Sequence, residues 1–193
     1  MRFDLPTSVA LGDREYAIRS DYRVILDIIC ALSDAELTHE ERAIVAMTIF
    51  YVDFDDIPGD LQIEALKACY AFIAGEDEYV PTDKKEPTLV DWKKDFKYIV
   101  SPVNKILGKE IREIPYDSEN NTGGLHWWTF LAAYLEIGDC LFAQIVNIRS
   151  KKARGKPLDK SEREWYRRNR ELVDIETSYT EAEQDLLKHW GGG

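Results

Sequence analysis

The pattern of apolar and polar positions is most pronounced between Leu125 and Ile148, where apolar side chains follow one another with few interruptions. The first part of this run recurs at intervals of three and four residues, which places these side chains on one helical surface: Trp127, Trp128, Phe130, Leu131, Tyr134 and Leu135. Gly138-Asp139 predicts a break into two helices, the second carrying Leu141, Ile145 and Ile148. A helix that is apolar over so much of its circumference needs neighbours on several sides. The sequence therefore predicts a central, tryptophan-bearing helix against which the other helices pack.

The N-terminal pattern alternates with a period of two and predicts a small β-hairpin. Val9 and Leu11 precede the turn residues Gly12-Asp13, and Tyr16 and Ile18 resume the alternation. Two strands alone are marginally stable in water, so we expect their apolar face to pack on a helix. Ser20 or Asp21 then caps a helix that runs to about Leu32.

Two further helices are predicted before residue 76. Thr38 and Glu41 have the spacing of a capping box, and the helix from Ala43 to Tyr51 is apolar almost all round, so we expect it to be buried. The other helix runs from about Asp60 to Ala74, and Gly75 is well placed to end it.

The middle of the chain contains one long predicted helix between polar connections. Residues 76–88 are rich in charged residues and proline and predict a flexible joint. The helix spans Leu89 to Leu107, with a kink or break near Val100-Ser101 because Pro102 cannot donate a backbone hydrogen bond. Residues 108–124 are predicted to be a loop.

The last third changes from apolar to basic. Asp159 is predicted to cap a polar helix with an apolar stripe of Trp165, Tyr166, Leu172 and Val173. We expect Gly191 to Gly193 to be disordered at the end of a weakly amphipathic segment. The predicted fold is therefore mainly α, a single helical domain over residues 1–173 with a small N-terminal β-hairpin, followed by a C-terminal segment, residues 174–193.

Charge is unevenly distributed along this acidic chain, whose net charge is −11. Residues 1–80 carry 17 acidic and 6 basic side chains, whereas residues 149–170 carry 3 acidic and 10 basic ones. The acidic total argues against nucleic acid as the principal partner, although the basic segment with Trp165 and Tyr166 superficially suits a single strand. A helix–helix contact surface is the favoured interpretation. No apolar run is long enough for a membrane span, and the N-terminus lacks the apolar core of a signal peptide.

Candidate catalytic and metal-binding patterns are weak. The cysteines Cys30, Cys69 and Cys140 are few and widely spaced, and the histidines have no partner at metal-ligand spacing, so we expect buried thiols and a hydrogen-bonding His126. Residues 53–64 resemble a calcium loop at three positions but place Ile57 and Pro58 where a ligand and a glycine are needed. Phosphate-binding and serine-nucleophile motifs are absent. No enzyme motif, metal site or cofactor site is recognised in these patterns, so composition and periodicity alone indicate a soluble, mostly helical interaction domain.

Two segments of the chain resemble a phage family, the tail-assembly-chaperone family named for gene product fifteen of temperate siphophages. The first is Leu125-His126-Trp127-Trp128-Thr129-Phe130, followed by Glu136-Ile137-Gly138 and Ile145-Val146-Asn147-Ile148-Arg149. The second is Lys152-Ala153-Arg154-Gly155-Lys156-Pro157-Leu158-Asp159-Lys160, followed by Glu164-Trp165-Tyr166. The double tryptophan is the specific part, and the sequence departs from the family pattern at Ser101-Pro102 and in its long loop from Pro115 to Gly124.

The resemblance implies a small non-catalytic protein of the host cytoplasm that binds the tape measure protein, helps recruit tail tube protein and is absent from the mature virion. Trp165 and Tyr166, with Arg163 and Arg167 beside them, are the predicted surface for the client or for self-association. Two alternatives remain open: a structural virion component of the tail or neck, and an enzyme with an unrecognised carboxylate site.

Overall fold

The computed structural model describes residues 4–79 and 87–175, and this part of the chain is mainly α, as predicted. Its strands are β1 (Ser8–Leu11), β2 (Arg14–Ala17), β3 (Tyr116–Asp117) and β4 (Thr122–Gly123). Its helices are α1 (Tyr22–Leu32), α2 (His39–Phe50), α3 (Gln62–Ala74), α4 (Trp92–Leu107), α5 (Trp127–Leu135), α6 (Leu141–Ala153), α7 (Lys160–Arg168) and α8 (Arg170–Val173). Short 3-10 turns occupy residues 54–56, 59–61 and 111–113. No helix in the described ranges is both long and apolar enough to cross a bilayer.

The N-terminal hairpin forms as predicted. Strands β1 and β2 are antiparallel, with Leu11 opposite Arg14, so Gly12-Asp13 is the turn and Gly12 takes a φ of 56°. The apolar residues of the hairpin, Val9, Leu11, Tyr16 and Ile18, are buried in the main core. The hairpin therefore packs on the helices of its own chain.

Asp21 joins the start of α1 to the start of α5. One carboxylate oxygen caps α1 by accepting the Arg23 backbone N–H at 3.0 Å, and the other accepts the Leu125 N–H at 2.8 Å. The Ser20 carbonyl also accepts the Trp127 N–H. These bonds satisfy backbone groups at two helix N-termini at once, which fixes one helix against the other.

Helix α2 begins with the predicted capping box. The Thr38 hydroxyl accepts the Glu41 N–H at 3.2 Å, and the Glu41 carboxylate accepts the Thr38 N–H at 2.8 Å. The prediction that this helix is buried almost all round is wrong, because only Ala46, Met47 and Phe50 are buried and Ile44 is 53% exposed. Gly75, with a left-handed φ of 76°, ends α3 as expected.

Helix α4 is continuous through Pro102, so the predicted break does not occur. Proline removes one backbone donor, but Ile99, Val100 and Val103 are buried on either side of it and hold the helix against its neighbours. The helix begins at Trp92, capped by Asp91, rather than at Leu89. The flexible joint predicted at 76–88 lies largely outside the described residues and stays a prediction.

Residues 108–124 are more ordered than the loop that the sequence predicts. They contain a 3-10 turn and a second hairpin, in which Tyr116 pairs with Gly123 and Asp117 with Thr122. The Asp117 carboxylate accepts backbone N–H groups of the turn, which stabilises it locally.

The central helix is α5, and the predicted break separates it from α6. Trp127 and Phe130 are almost fully buried, and the Tyr22 ring of α1 stacks on Phe130 at 5.0 Å between ring centroids. The indole N–H groups of Trp127 and Trp128 each donate to a carbonyl of α3, those of Ile73 and Phe72, at 2.9 Å. Helix α5 therefore contacts both α1 and α3, which confirms the predicted central position of the tryptophan-bearing helix.

Candidate protein interface

The C-terminal helical arm, residues 154–175, comprises the turn at Gly155 and helices α7 and α8. Asp159 caps α7 as predicted, in a capping box with Glu162: the Asp159 carboxylate accepts the Glu162 N–H at 2.8 Å, and the Glu162 carboxylate accepts the Asp159 N–H at 3.0 Å. The predicted stripe is divided between two helices, because Asn169 interrupts the helix before Leu172 and Val173.

Helix α7 has an inner face that is half-buried. Its members recur at helical spacing: Glu162, Trp165, Tyr166 and Asn169. The Glu162 carboxylate accepts hydrogen bonds from Asn147 and Lys151 of α6. The Tyr166 hydroxyl donates to Asp174 at 2.9 Å and accepts from Lys152. This face therefore attaches the arm to α6.

The outer face of α7 carries the exposed cations Lys160, Arg163 and Arg167, with the exposed Glu164 beside them. The structure thus divides the four predicted interface residues. Trp165 and Tyr166 lie on the half-buried inner face, whereas Arg163 and Arg167 are exposed, and the Arg163 Nε–H donates to the Asp159 carbonyl at 3.3 Å. The role of the four residues in binding a partner stays a prediction, but only the two arginines are exposed.

The anchor of the arm is a buried ion pair between Arg149 of α6 and Asp95 of α4, which no pattern in the sequence predicts. Asp95 is fully buried and Arg149 is 5% exposed, and the guanidinium binds both carboxylate oxygens. The same guanidinium donates to the carbonyls of Val173 at 2.6 Å, Leu172 at 2.8 Å and Leu89 at 2.9 Å. All of its donor directions are used, as a buried arginine requires. The pair therefore connects α4, α6 and α8.

A second polar cluster closes the arm near the surface. Burial alone would raise the pKa of Asp174, but hydrogen bonds from Lys152, Arg170 and Tyr166 lower it to about 2. Burial likewise opposes the charged form of Lys152, whose pKa is nevertheless raised by hydrogen bonds to Asp174 and Tyr166. Both groups are therefore charged at neutral pH, and their contacts hold Tyr166 in place.

The connection between α5 and α6 exposes apolar side chains that the sequence assigns to the central run. Leu135, the last residue of α5, is 72% exposed, and Leu141, the first residue of α6, is 43% exposed. The prediction that they extend the buried surface is therefore wrong for both. Large exposed apolar side chains are common singly, but a pair at one connection is a candidate contact point.

The potential metal and nucleophile positions are structural. Residues 53–64 form two 3-10 turns and the start of α3 rather than a calcium loop, and residues 4–79 and 87–175 contain no group of three side chains that could hold a metal ion. Burial raises the pKa of the Cys69 thiol to about 12. The Cys140 sulfur accepts the Ala143 N–H and so caps α6.

His126 is half-buried and hydrogen-bonded, as expected. Its Nδ1 atom caps α5 by accepting the Trp128 N–H at 3.0 Å, so Nε2 carries the proton and donates to the Pro6 carbonyl at 2.9 Å. Burial lowers the pKa of His126, and the bond to Pro6 only partly opposes this shift. The neutral ring is therefore the form that the fold uses.

Comparison with known proteins identifies the family. A family model described as bacteriophage Gp15 protein matches residues 1–175, which is most of the chain and all of the helical fold described above. Searches of curated proteins and of solved structures returned no significant match. The chain therefore belongs to the bacteriophage Gp15 protein family.

Proposed function

We propose that this protein is a phage tail assembly chaperone that binds the tape measure protein and assists assembly of the tail tube around it. The observation that carries the proposal is the family membership over residues 1–175, since the family resemblance implies this role. On this proposal the protein is not an enzyme, acts in the host cytoplasm and is absent from the finished virion.

Helical clients present apolar stripes, and the α5–α6 connection offers a surface to cover them. Leu135 and Leu141 lie at the two ends of this connection, with Gly138 and Asp139 exposed between them. An amphipathic helix binds through apolar side chains at helical spacing, and partly exposed leucines are suitable contacts for such a stripe. The contact is small, which suits a chaperone that must release its client.

The C-terminal arm offers a second, polar contact for the same client. Arg163 and Arg167 project outward from α7, where they can pair with acidic side chains of a bound helix. Trp165 and Tyr166 are half-buried beside them and add apolar area at the edge of the arm.

The test is co-purification with helical fragments of the tape measure protein encoded by the same phage. We expect Leu135→Ser/Leu141→Ser to weaken retention at least about tenfold, because burying one leucine is worth ~1.5–3 kcal/mol. Ile106→Ser is the matched control, since Ile106 of α4 is 42% exposed and lies away from this connection in sequence. Equal retention of wild type and the double variant would exclude the α5–α6 connection as the client surface.

Two further measurements separate the proposal from its competitors. Trp165→Ala is expected to weaken co-purification while leaving the helical circular dichroism signal intact, whereas loss of the signal would assign Trp165 to the core. Mass spectrometry of purified particles is expected to lack the protein. Its presence in stoichiometric amounts would identify a structural virion component instead.

A further inference from the structure

The N-terminal part of the fold carries an acidic surface that its own cations do not neutralise. Residues 4–79 contain 17 acidic and 5 basic side chains. Two of these cations are engaged inside the fold: Arg19 donates to the carbonyls of Thr48, Ile49, Tyr51 and Val52 at the end of α2, and Arg23 binds Asp21 and the Ile114 carbonyl. Most of the carboxylates therefore face solvent without a neighbouring cation.

The most concentrated part of this surface is the acidic segment, residues 53–64. Its exposed carboxylates are Asp53, Asp55, Asp56, Asp60 and Glu64. Asp56 pairs with Arg14 across an exposed contact, and the other four make no ion pair with any described residue. Ile63, in the first turn of α3, is 71% exposed between Asp60 and Glu64. An apolar side chain surrounded by unpaired carboxylates is suited to a basic partner with some apolar area.

The complementary surface lies on the same chain, on the outer face of α7. Lys160, Arg163 and Arg167 recur at intervals of three and four residues and so form one stripe along the helix. Three of the five acidic side chains of the arm are engaged elsewhere, because Asp159 caps α7 and Glu162 and Asp174 bind Lys151 and Lys152. The other two, Glu164 and Glu171, are exposed, but the three cations of the stripe outnumber them. Within residues 4–79 and 87–175 these three cations make no ion pair.

We propose that the acidic segment of one copy binds the outer face of α7 of a second copy. The two surfaces carry opposite charge, and the aliphatic stems of Arg163 and Arg167 provide the apolar area that would cover Ile63. The net charge of −11 does not prevent this contact, since the Debye length is about 8 Å at physiological salt and local complementarity then outweighs distant repulsion.

The contact is heterologous, because it joins two different surfaces of identical chains. Repeating it produces rings or open chains rather than a closed two-fold dimer. The proposed client contact also uses Arg163 and Arg167, so a client and a second copy would compete for this face. Self-association is measured without any client present, so its failure leaves the proposed client contact untouched.

The experiment is sedimentation velocity of the full chain from about 1 µM to about 100 µM at low and high salt. Wild type is expected to associate reversibly at low salt and to dissociate as salt rises. Arg163→Glu/Arg167→Glu is expected to weaken association at least about tenfold, because two attractive contacts become repulsive. Lys105→Glu/Lys109→Glu is the matched control, since it changes the net charge by the same amount at two exposed cations near the end of α4. Its association should be weaker than that of wild type only by the added repulsion between the whole chains.

A charge exchange makes the test specific to these two surfaces. Asp55→Lys/Asp60→Lys alone is also expected to weaken self-association, since the net charge of its acidic segment falls from −5 to −1 and most of the attraction to α7 is lost. Mixing this variant with Arg163→Glu/Arg167→Glu brings the unchanged acidic segment of one variant together with the unchanged α7 of the other, so the mixture is expected to associate better than either variant does alone. Retained circular dichroism spectra confirm that the variants are folded, and Arg163→Gln/Arg167→Gln provides a milder version of the change.

Three results would overturn the inference. The first is a wild type that remains monomeric up to the highest concentration. The second is equal association of the α7 variant and its control. The third is a mixture of the two charge-reversed variants that associates no better than each one alone.

Discussion

Replacing Arg149 by methionine tests the buried ion pair that connects α4, α6 and α8. Methionine keeps much of the aliphatic length of arginine but removes the guanidinium. Asp95, which is fully buried, then loses both of its contacts to Arg149 and keeps only the hydrogen bond from the Asp91 N–H at 2.9 Å. The carbonyls of Val173, Leu172 and Leu89 lose a charged donor in the same change.

The expected loss of stability follows from these contacts. Leaving one member of a buried ion pair without its partner costs about 3–5 kcal/mol. Each carbonyl that loses a hydrogen bond adds about 1 kcal/mol at most, and water replaces part of this near the surface. We therefore expect Arg149→Met to lower the free energy of unfolding by about 4 kcal/mol, a large share of the ~5–15 kcal/mol typical of a domain. Asp95→Leu in the same chain should recover part of the loss, because it removes the unpaired buried charge.

The assay is urea unfolding followed by tryptophan fluorescence and circular dichroism. Arg154→Met is the matched control, since Arg154 is exposed and such changes usually alter stability by less than ~0.5 kcal/mol. Limited proteolysis adds a local measurement, because loss of the bonds to Val173 and Leu172 should expose the C-terminal helical arm to cleavage before the rest of the fold. A loss below about 1 kcal/mol for Arg149→Met would refute the conclusion that this pair holds the three helices together.

Two further changes test the joint between α1 and α5. Gly124 has a φ of +80°, and a Cβ atom there would lie 2.1 Å from the Asp21 carboxylate. Gly124→Ala should therefore lower the free energy of unfolding by about 3 kcal/mol in urea titrations. A variant as stable as wild type would contradict the packing of Gly124 against Asp21. His126 has a lowered pKa in the folded state, so the unfolded chain takes up a proton first as the pH falls below about 6.5, and stability is lost from that point downward. His126→Asn keeps an oxygen to cap the Trp128 N–H but does not titrate, so it should lose less stability than wild type between about pH 7.5 and 5.5. If the free energy of unfolding changes with pH equally in the two proteins, His126 is not the cause of the loss.

Local signals in the sequence were sufficient for most of the secondary structure. The Gly12-Asp13 turn, the Asp21 cap and the Thr38 capping box each depend on residues within a few positions of one another, and each forms as predicted. The break between α5 and α6 and the end of α3 at Gly75 belong to the same class. Such features can be predicted because their side chains interact with backbone groups only a few residues away, whatever the rest of the fold.

Features that depend on distant residues could not be predicted from pattern alone. Arg149 and Asp95 are 54 positions apart, and an arginine in a basic run looks like a solvated charge until α4 is placed beside α6. Pro102 indicates a break locally, but the buried residues around it keep α4 intact. The exposure of Leu135 is equally non-local, since burial depends on which other elements pack beside α5 and not on the apolar pattern of the run itself.

The same limit applies to the candidate interface. Spacing placed Trp165 and Tyr166 on one stripe of α7, but it could not show that Tyr166 would be held by Lys152 and Asp174. Arg163 and Arg167 are neighbours of this pair in sequence, but they lie on the exposed outer face of α7, away from Trp165.

The paired indoles of α5 make the protein its own spectroscopic reporter. Because Trp127 and Trp128 are two of the five tryptophans and donate to adjacent carbonyls at the end of α3, part of the protein's emission reports whether that helix is packed on α5. A partner that pulls α3 away would release both N–H groups to water together, and the emission maximum would move to longer wavelength. Titration with an unlabelled client can thus distinguish binding that leaves the scaffold closed from binding that opens it.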